Sequence, residues 1–248
     1  MRAVILAAGE GRRLCPLTEE RPKCLVEYQG RPILDYQLEV MNACGLRDIV
    51  LVKGHKAEAF QRYGLKSVLN PNYNVTNMVY TLFCAELYFN DDLVISYGDI
   101  LYEKSILDAL LASPFDFSVA VSMNWKELWL RRMPHPLTDA ETLKMDAVNN
   151  ILEVGKKPKS YDEIQGQYMG LLMIRKPMLK TVTSLYRELD RSALYDGKNF
   201  NQMYMTRFIQ ILIDRGHLIK AVKVTGEWLE IDRIEDLSVA CNITTGVS

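Results

Sequence analysis

A short β-branched and apolar run, Arg2 to Ala7, passes directly into Gly9-Glu10-Gly11, and this junction constrains the fold more than any other part of the chain. A continuous apolar run bounded by glycine reads as a strand buried on both faces, which needs helices above and below it. The following segments keep that rhythm. Asp48 to Lys53, Lys66 to Asn70, Asp92 to Tyr97 and Asp116 to Met123 read as further strands. Between them, Pro32 to Cys44, Lys56 to Arg62, Thr76 to Tyr88 and Glu103 to Ala112 read as helices, the first stopping at Gly45, the residue type that most easily takes a left-handed cap. Regular alternation of this kind predicts an α/β fold: a doubly wound, mostly parallel, Rossmann-like sheet with helices on both faces.

After Trp125 the rhythm changes. Leu143 to Val154 and Tyr168 to Ile174 read as strands close together, and Pro177 to Leu189 and Phe200 to Asp214 as helices. Ile219 to Val224 and Trp228 to Ile231 return to strand, and Arg233 to Cys241 reads as a closing helix. The stretch through Pro134 and Pro136 is expected to be an exposed loop. No repeat, low-complexity segment or linker separates the halves, so residues 1–248 are expected to form a single domain: a first half over about 1–124 and a small mixed part over about 125–248.

Charge and cysteine content narrow the classes of function. Lys+Arg 30 against Asp+Glu 31 leaves a net charge of -1, whereas a general electrostatic binder of nucleic acid or of a membrane surface carries a basic excess. Neither partner is expected. The longest apolar run, Ala3 to Ala8, is far short of the ~20 residues of a membrane span, and the Arg-rich GEGRR behind it does not fit a signal peptide. Five cysteines, an odd number without a Cys-x-x-Cys pair, read as reduced thiols of a cytoplasmic protein.

The chemistry starts at the opening junction, LAAGEGRRL, followed by Pro22-Lys23. Glycines after a buried strand let backbone N–H groups approach an anion with no Cβ in the way. Arg13 and Lys23 add two positive charges, suited to a triphosphate, although a strand-exit turn with solvated basic residues would look the same in isolation. Two other phosphate loops are excluded. Leu14 stands where the dinucleotide fingerprint needs its third glycine, and no Gly-Lys-Ser/Thr follows to make a Walker loop.

LAAGEGRRL with PKCL resembles the signature of the sugar-1-phosphate nucleotidyltransferase superfamily, and the resemblance runs on through Gly98-Asp99, Gly155-Lys156-Lys157-Pro158, Gln167-Tyr168-Met169-Gly170 and Trp228-Leu229-Glu230-Ile231-Asp232. Within it, Thr76-Asn77-Met78 and the Glu-Ile-Asp ending are similar to the cytidylyltransferases acting on phosphocholine, phosphonates or phosphoglutamine. PLTDAETLKM, YDEIQGQY and LYDGKNFNQMYMT are most similar to the phosphoglutamine and phosphonate group. The resemblance implies a nucleotide-binding first half, an acceptor-binding second half, Mg²⁺ as cofactor, and CTP and a small phosphorylated or phosphonate acceptor as substrates, with a homo-oligomer allowed. A sugar-1-phosphate enzyme using UTP, GTP or dTTP is the alternative, and a catalytically silent nucleotide binder a further one.

Carried onto this sequence, the resemblance makes Arg13 and Lys23 catalytic, and Leu6, Ala8, Gly9, Glu10, Gly11, Asn77 and Gly98 nucleotide-binding. Asn77 opens a helix, so its amide either caps the first turn or reads the nucleobase. Asp99, at the carboxyl end of a parallel strand, and the alternating pair Glu230 and Asp232 are the implied magnesium ligands, Asp232 preferred over Glu230. Lys157 or Lys156 would contact the acceptor phosphate. Trp129, Tyr168 and Tyr204, with Trp125, could line the acceptor pocket, core packing being the competing role for each. His55, His135 and His217 have no partner spacing for zinc or a triad.

Overall fold

The computed structural model describes residues 1–241 and 243. Seven strands share one sheet: β1 (Arg2–Ala7), β2 (Ile49–Lys53), β3 (Lys66–Leu69), β4 (Leu93–Tyr97), β5 (Phe117–Ser122), β6 (Gln167–Ile174) and β7 (Lys220–Val224). Their order across the sheet is β7-β5-β6-β4-β1-β2-β3, which leaves β7 and β3 at the edges. Only β6 runs antiparallel to its neighbours, β4 and β5; the other pairings are parallel. The sheet is therefore the doubly wound, mostly parallel one read from the sequence.

Among the described residues six α-helices cover it: α1 (Ile33–Ala43), α2 (Met78–Cys84), α3 (Lys104–Leu111), α4 (Trp125–Arg132), α5 (Lys176–Glu188) and α6 (Met205–Asp214). Because successive side chains of a strand point to opposite faces, β1 feeds two cores. Val4 and Leu6 pack with α2, α5 and α6, while Ala3, Ile5 and Ala7 pack with α1, α3 and α4. A third cluster joins Leu14, just past the glycine loop, to Ile33, Leu101, Leu229 and Ile231. That small cluster draws the N-terminal loop and a C-terminal strand, Trp228–Glu230, to the same place. No helix among the described residues is long and apolar enough to cross a membrane.

Several elements differ from the sequence reading, each for a local reason. Leu143 to Val154 is a hairpin, Leu143–Met145 against Ile151–Val154, because Asp146 Oδ1 accepts from the N–H groups of Val148 and Asn150 and Asn149 takes φ 64. Phe200 to Asp214 is broken: Asn199 caps the short turn Phe200–Gln202, the chain extends through Tyr204, and α6 starts anew. Lys56 to Arg62 and Arg233 to Cys241 are 3₁₀ turns, Ala57–Tyr63 and Ile234–Ser238.

The stretch after Trp125 also needs correction. It forms α4, which buries Trp125 and Trp129; beyond it Pro134 is exposed, as expected, but Pro136 is buried.

Candidate active site

β1 and β4 lie side by side, and both end at one cleft of about 570 Å³. Gly98 lets these ends touch: its N–H donates to the Leu6 carbonyl at 3.0 Å, and a Cβ there would sit 2.8 Å from the same oxygen. Gly11 takes φ 65, a left-handed conformation that favours glycine, and an added Cβ would lie 3.0 Å from the Lys23 Cβ. The turn Arg12–Leu14 follows, with Leu14 fully buried as its anchor. Arg13 is thus held at the mouth and Lys23 inside.

Three carboxylates converge beneath this loop. Asp99 follows β4 and is 7% exposed; Asp232 is 6% exposed. The strand Ile100–Tyr102 pairs antiparallel with Trp228–Glu230, and the Ile231 N–H donates to the Asp99 carbonyl at 2.9 Å, so the ladder itself sets the two acids side by side. One oxygen from each of Asp99, Glu230 and Asp232 lies within 4.8 Å of the others. Lys23 Nζ bridges Asp99 at 2.6 Å and Asp232 at 2.5 Å, and Arg13 reaches Asp232 at 2.6 Å. Burial works against the Lys23 charge, but Asp99 and Asp232 outweigh it and keep the ammonium protonated. For Asp232 the opposition of burial is overcome by Lys23 and Arg13, and its pKa is lowered. Glu230 is pushed up by burial and then by Asp232 and Asp99. Glu230 and Asp232 do not share charge equally.

Arg132 supports this cluster from behind. Its side chain is 2% exposed; Nε donates to Asp236 Oδ1 at 3.1 Å and Nη1 to Glu230 Oε2 at 3.5 Å. Asp236 in turn accepts from the backbone N–H groups of Asp232 at 2.8 Å and Arg233 at 2.9 Å. A helix that sequence reading missed therefore fixes the backbone of the C-terminal acid.

Of the residues singled out from the sequence, Leu6, Gly9, Gly11, Arg13, Lys23, Asn77, Gly98, Asp99, Trp129, Tyr168, Tyr204, Glu230 and Asp232 line the cleft. Asn77 Oδ1 accepts from the Met78 N–H at 2.8 Å, so its amide caps α2 while facing the cleft. Trp129 stacks on Trp228 with centroids 5.2 Å apart and gives its indole N–H to Asp139 at 3.0 Å. Ala8, Glu10, Lys156 and Lys157 stand outside the cleft wall. Ala8 is buried and its carbonyl accepts from His55; Glu10 pairs with Arg12. Lys156 is exposed and bound to Glu153 at 2.6 Å, on a turn whose backbone is paired with Thr142. Lys157 is exposed as well. Asp139 and Glu141, which in the sequence follow Trp125 and Trp129 as charged groups suited to an acceptor bearing a carboxylate or amino group, line the cleft, and so do Gln167 and Thr206, which carried no assigned role because only the folded chain brings their segments together.

With this geometry in view, likeness to known proteins is informative. The profile of the MobA-like NTP transferase domain matches residues 3–194. CTP:phosphoglutamine cytidylyltransferase of Campylobacter jejuni is 42% identical over 96% of this chain and 98% of its own. Choline-phosphate cytidylyltransferase of Streptococcus pneumoniae is 35% identical over 48% of this chain and 53% of its own. Among solved structures, the inositol-1-phosphate CTP transferase from T. maritima superimposes with a TM-score of 0.74 at 22% identity, covering 95% of this chain and 90% of its own.

Proposed function

The chain belongs to the MobA-like NTP transferase domain family, and on that premise we propose that it is a CTP-dependent cytidylyltransferase, joining CMP to a small phosphomonoester or phosphonate with release of pyrophosphate. Phosphoglutamine or a phosphonate is the favoured acceptor class, with phosphocholine the less favoured one. The observation that carries the reading is the convergence of Asp99, Glu230 and Asp232 with Lys23 and Arg13 under a glycine loop.

The parts supply a mechanism. A phosphate oxygen of the acceptor is already anionic near neutral pH, its second pKa being about 6, so no general base or covalent nucleophile is required. That oxygen attacks the α-phosphorus of CTP in line; the new P–O bond forms as the bond to the β-phosphate bridge breaks, and pyrophosphate leaves. Lys23 and Arg13 hold phosphate oxygens and offset the charge that grows on them. The glycine loop lets backbone N–H groups reach the same anion, and Asn77 faces the nucleobase.

The carboxylates fit a hard divalent cation. Asp99 Oδ1 is buried and has no hydrogen-bond partner, and the donor set is all oxygen. Asp99, Asp232 and Glu230 would hold Mg²⁺, which supplies Lewis-acid neutralisation of the phosphates when bound. The five cysteines are unbonded, in keeping with a cytoplasmic enzyme.

Pyrophosphate release from purified protein tests the reading, with CTP, UTP, GTP and dTTP each offered against phosphoglutamine, aminoethylphosphonate, phosphocholine and sugar 1-phosphates. CTP with phosphoglutamine or a phosphonate is the expected best pair. Faster turnover of a sugar 1-phosphate with another nucleotide would replace it, and no magnesium-dependent release with any pair would remove the enzymatic reading.

A further inference from the structure

The cleft extends from the carboxylates to a wall that holds Glu141, which nothing in the nucleotide chemistry above employs. Its backbone is pinned with unusual care. Gln167, 3% exposed, donates its amide to the Glu141 carbonyl at 2.5 Å and accepts the Glu141 N–H at 3.2 Å, so a buried side chain of β6 spends both ends on this one residue. The carboxylate so presented lacks a counter-ion: among the described residues no Lys, Arg or His lies within 4.0 Å of it. Thr206 donates a hydroxyl, Asp139 and Asp196 add like charge, and Lys157 is a more distant cation. Nearby on the same wall, the Tyr168 hydroxyl and the Trp228 indole N–H are buried with no partner.

A desolvated carboxylate without a cation is costly unless a ligand brings one. Resting on the cytidylyltransferase reading, we infer that Glu141 receives the N–H groups of an amine on the acceptor, and so selects amine-bearing phosphates or phosphonates. The chemistry favours N–H donors over a quaternary ammonium. A quaternary head has no N–H for a carboxylate and is bound through aromatic faces. Here Trp125 is packed in the core outside the cleft wall, and Trp129 is stacked on Trp228 with its N–H spent on Asp139. Glu141 is the anionic group on this wall that remains to be matched.

The test compares 2-aminoethylphosphonate with n-propylphosphonate, in which a methyl group replaces the ammonium. With CTP, the wild-type protein prefers the amine by about tenfold or more in kcat/KM, and Glu141→Gln brings the ratio near one. The change falls on acceptor KM with kcat retained, as for a contact equal in ground and transition states. Glu141→Asp keeps part of the preference. A wild-type ratio near one, or an unaltered ratio in Glu141→Gln, overturns the assignment. If another nucleotide proves to be the donor, the ratio is measured with that one. If no nucleotide supports turnover, acceptor dissociation constants from calorimetry give the same ratio. The fate of Glu141 is thereby read apart from that of the cytidylyltransferase reading.

Discussion

Lys23 holds two carboxylates at once, and its own charge is stabilised by both. Such a residue is exposed to simple substitution tests. Asp99→Asn and Asp232→Asn are each expected to lower turnover by about 100-fold or more, the scale on which a lost charge-stabilising group costs roughly 3 kcal/mol. Glu230→Gln discriminates between the C-terminal acids: collapse there, with Asp232→Asn near normal, moves the second ligand to Glu230. Lys23→Ala and Arg13→Ala should lower kcat/KM for the nucleotide by about 100-fold each, since charged hydrogen bonds to phosphate are worth about 1.5–3 kcal/mol. Steady-state kinetics on the four nucleotides checks both sets.

Glu141 adds a pH dependence. Burial first, and Asp139 second, raise its carboxyl to about 7. The groups around it are Asp139, Asp196, Lys157 and the hydroxyl of Thr206. It ionises as pH passes through that value, so preference for the amine over the methyl acceptor, divided by the same preference in Glu141→Gln, should climb from pH 6 to pH 8. The phosphonate titrates in the same window, at lower pH in the amine acceptor because its own ammonium favours the dianion, and Glu141→Gln, which meets the same two acceptors, is the reference that removes this contribution. The sign for stability is opposite. An acid raised from 4.5 to about 7 holds its proton longer when folded, so folding stability falls across that interval as pH rises, and Glu141→Gln should flatten the fall in denaturation curves.

Among the elements, the exits of β1 and β4 are the most sensitive to shape. Gly98→Ala would place a Cβ 2.8 Å from the Leu6 carbonyl and 3.2 Å from the Ala7 Cα, both backbone atoms that cannot rotate away. The strands must part, at a cost of about 1–3 kcal/mol, and Asp99 moves with them. A lowered denaturation midpoint together with lowered kcat is the expected outcome; unchanged stability would show that the strand ends yield freely.

Strand runs such as Arg2 to Ala7 were legible because β-branched sequences between turn residues state their own limits. Asp99, Lys23 and Asp232 were legible because their neighbours form a recognisable motif. The helix α4 was not, as it is only eight residues long and closes just before Pro134. The burial of Arg132 depends on Asp236, 104 residues away, and the pinning of Glu141 on Gln167, 26 residues away. Contacts at that separation leave no local signal. Gly170 likewise takes φ 71 beside the Tyr97 ring, 73 residues away in sequence, where a Cβ would lie 2.7 Å from the ring.

For the molecule as a whole, one sheet interleaves both parts of the sequence: β6, from after Trp125, lies between β4 and β5, from before it. Arg132 ties α4 to the C-terminal segment through Glu230 and Asp236. Arg132→Met leaves Asp236 without its cation and takes from Glu230 the stronger of the two cations that act on it, and should destabilise by about 3–5 kcal/mol, while Arg132→Lys, lacking the planar fork, should recover only part. Urea denaturation decides it, and a cost within error of zero would make Arg132 a bystander.

The two sheet edges carry a separate consequence. Along β7, the Ala221 N–H is taken by the Asn149 carbonyl, and the Ile219 carbonyl by the Ile151 N–H. The other edge, β3, is four residues long and opens with an exposed lysine. A bare, flat edge templates addition of further strands. With one edge occupied by its own hairpin turn and the other short and charged, the protein has built-in resistance to growing into fibrils.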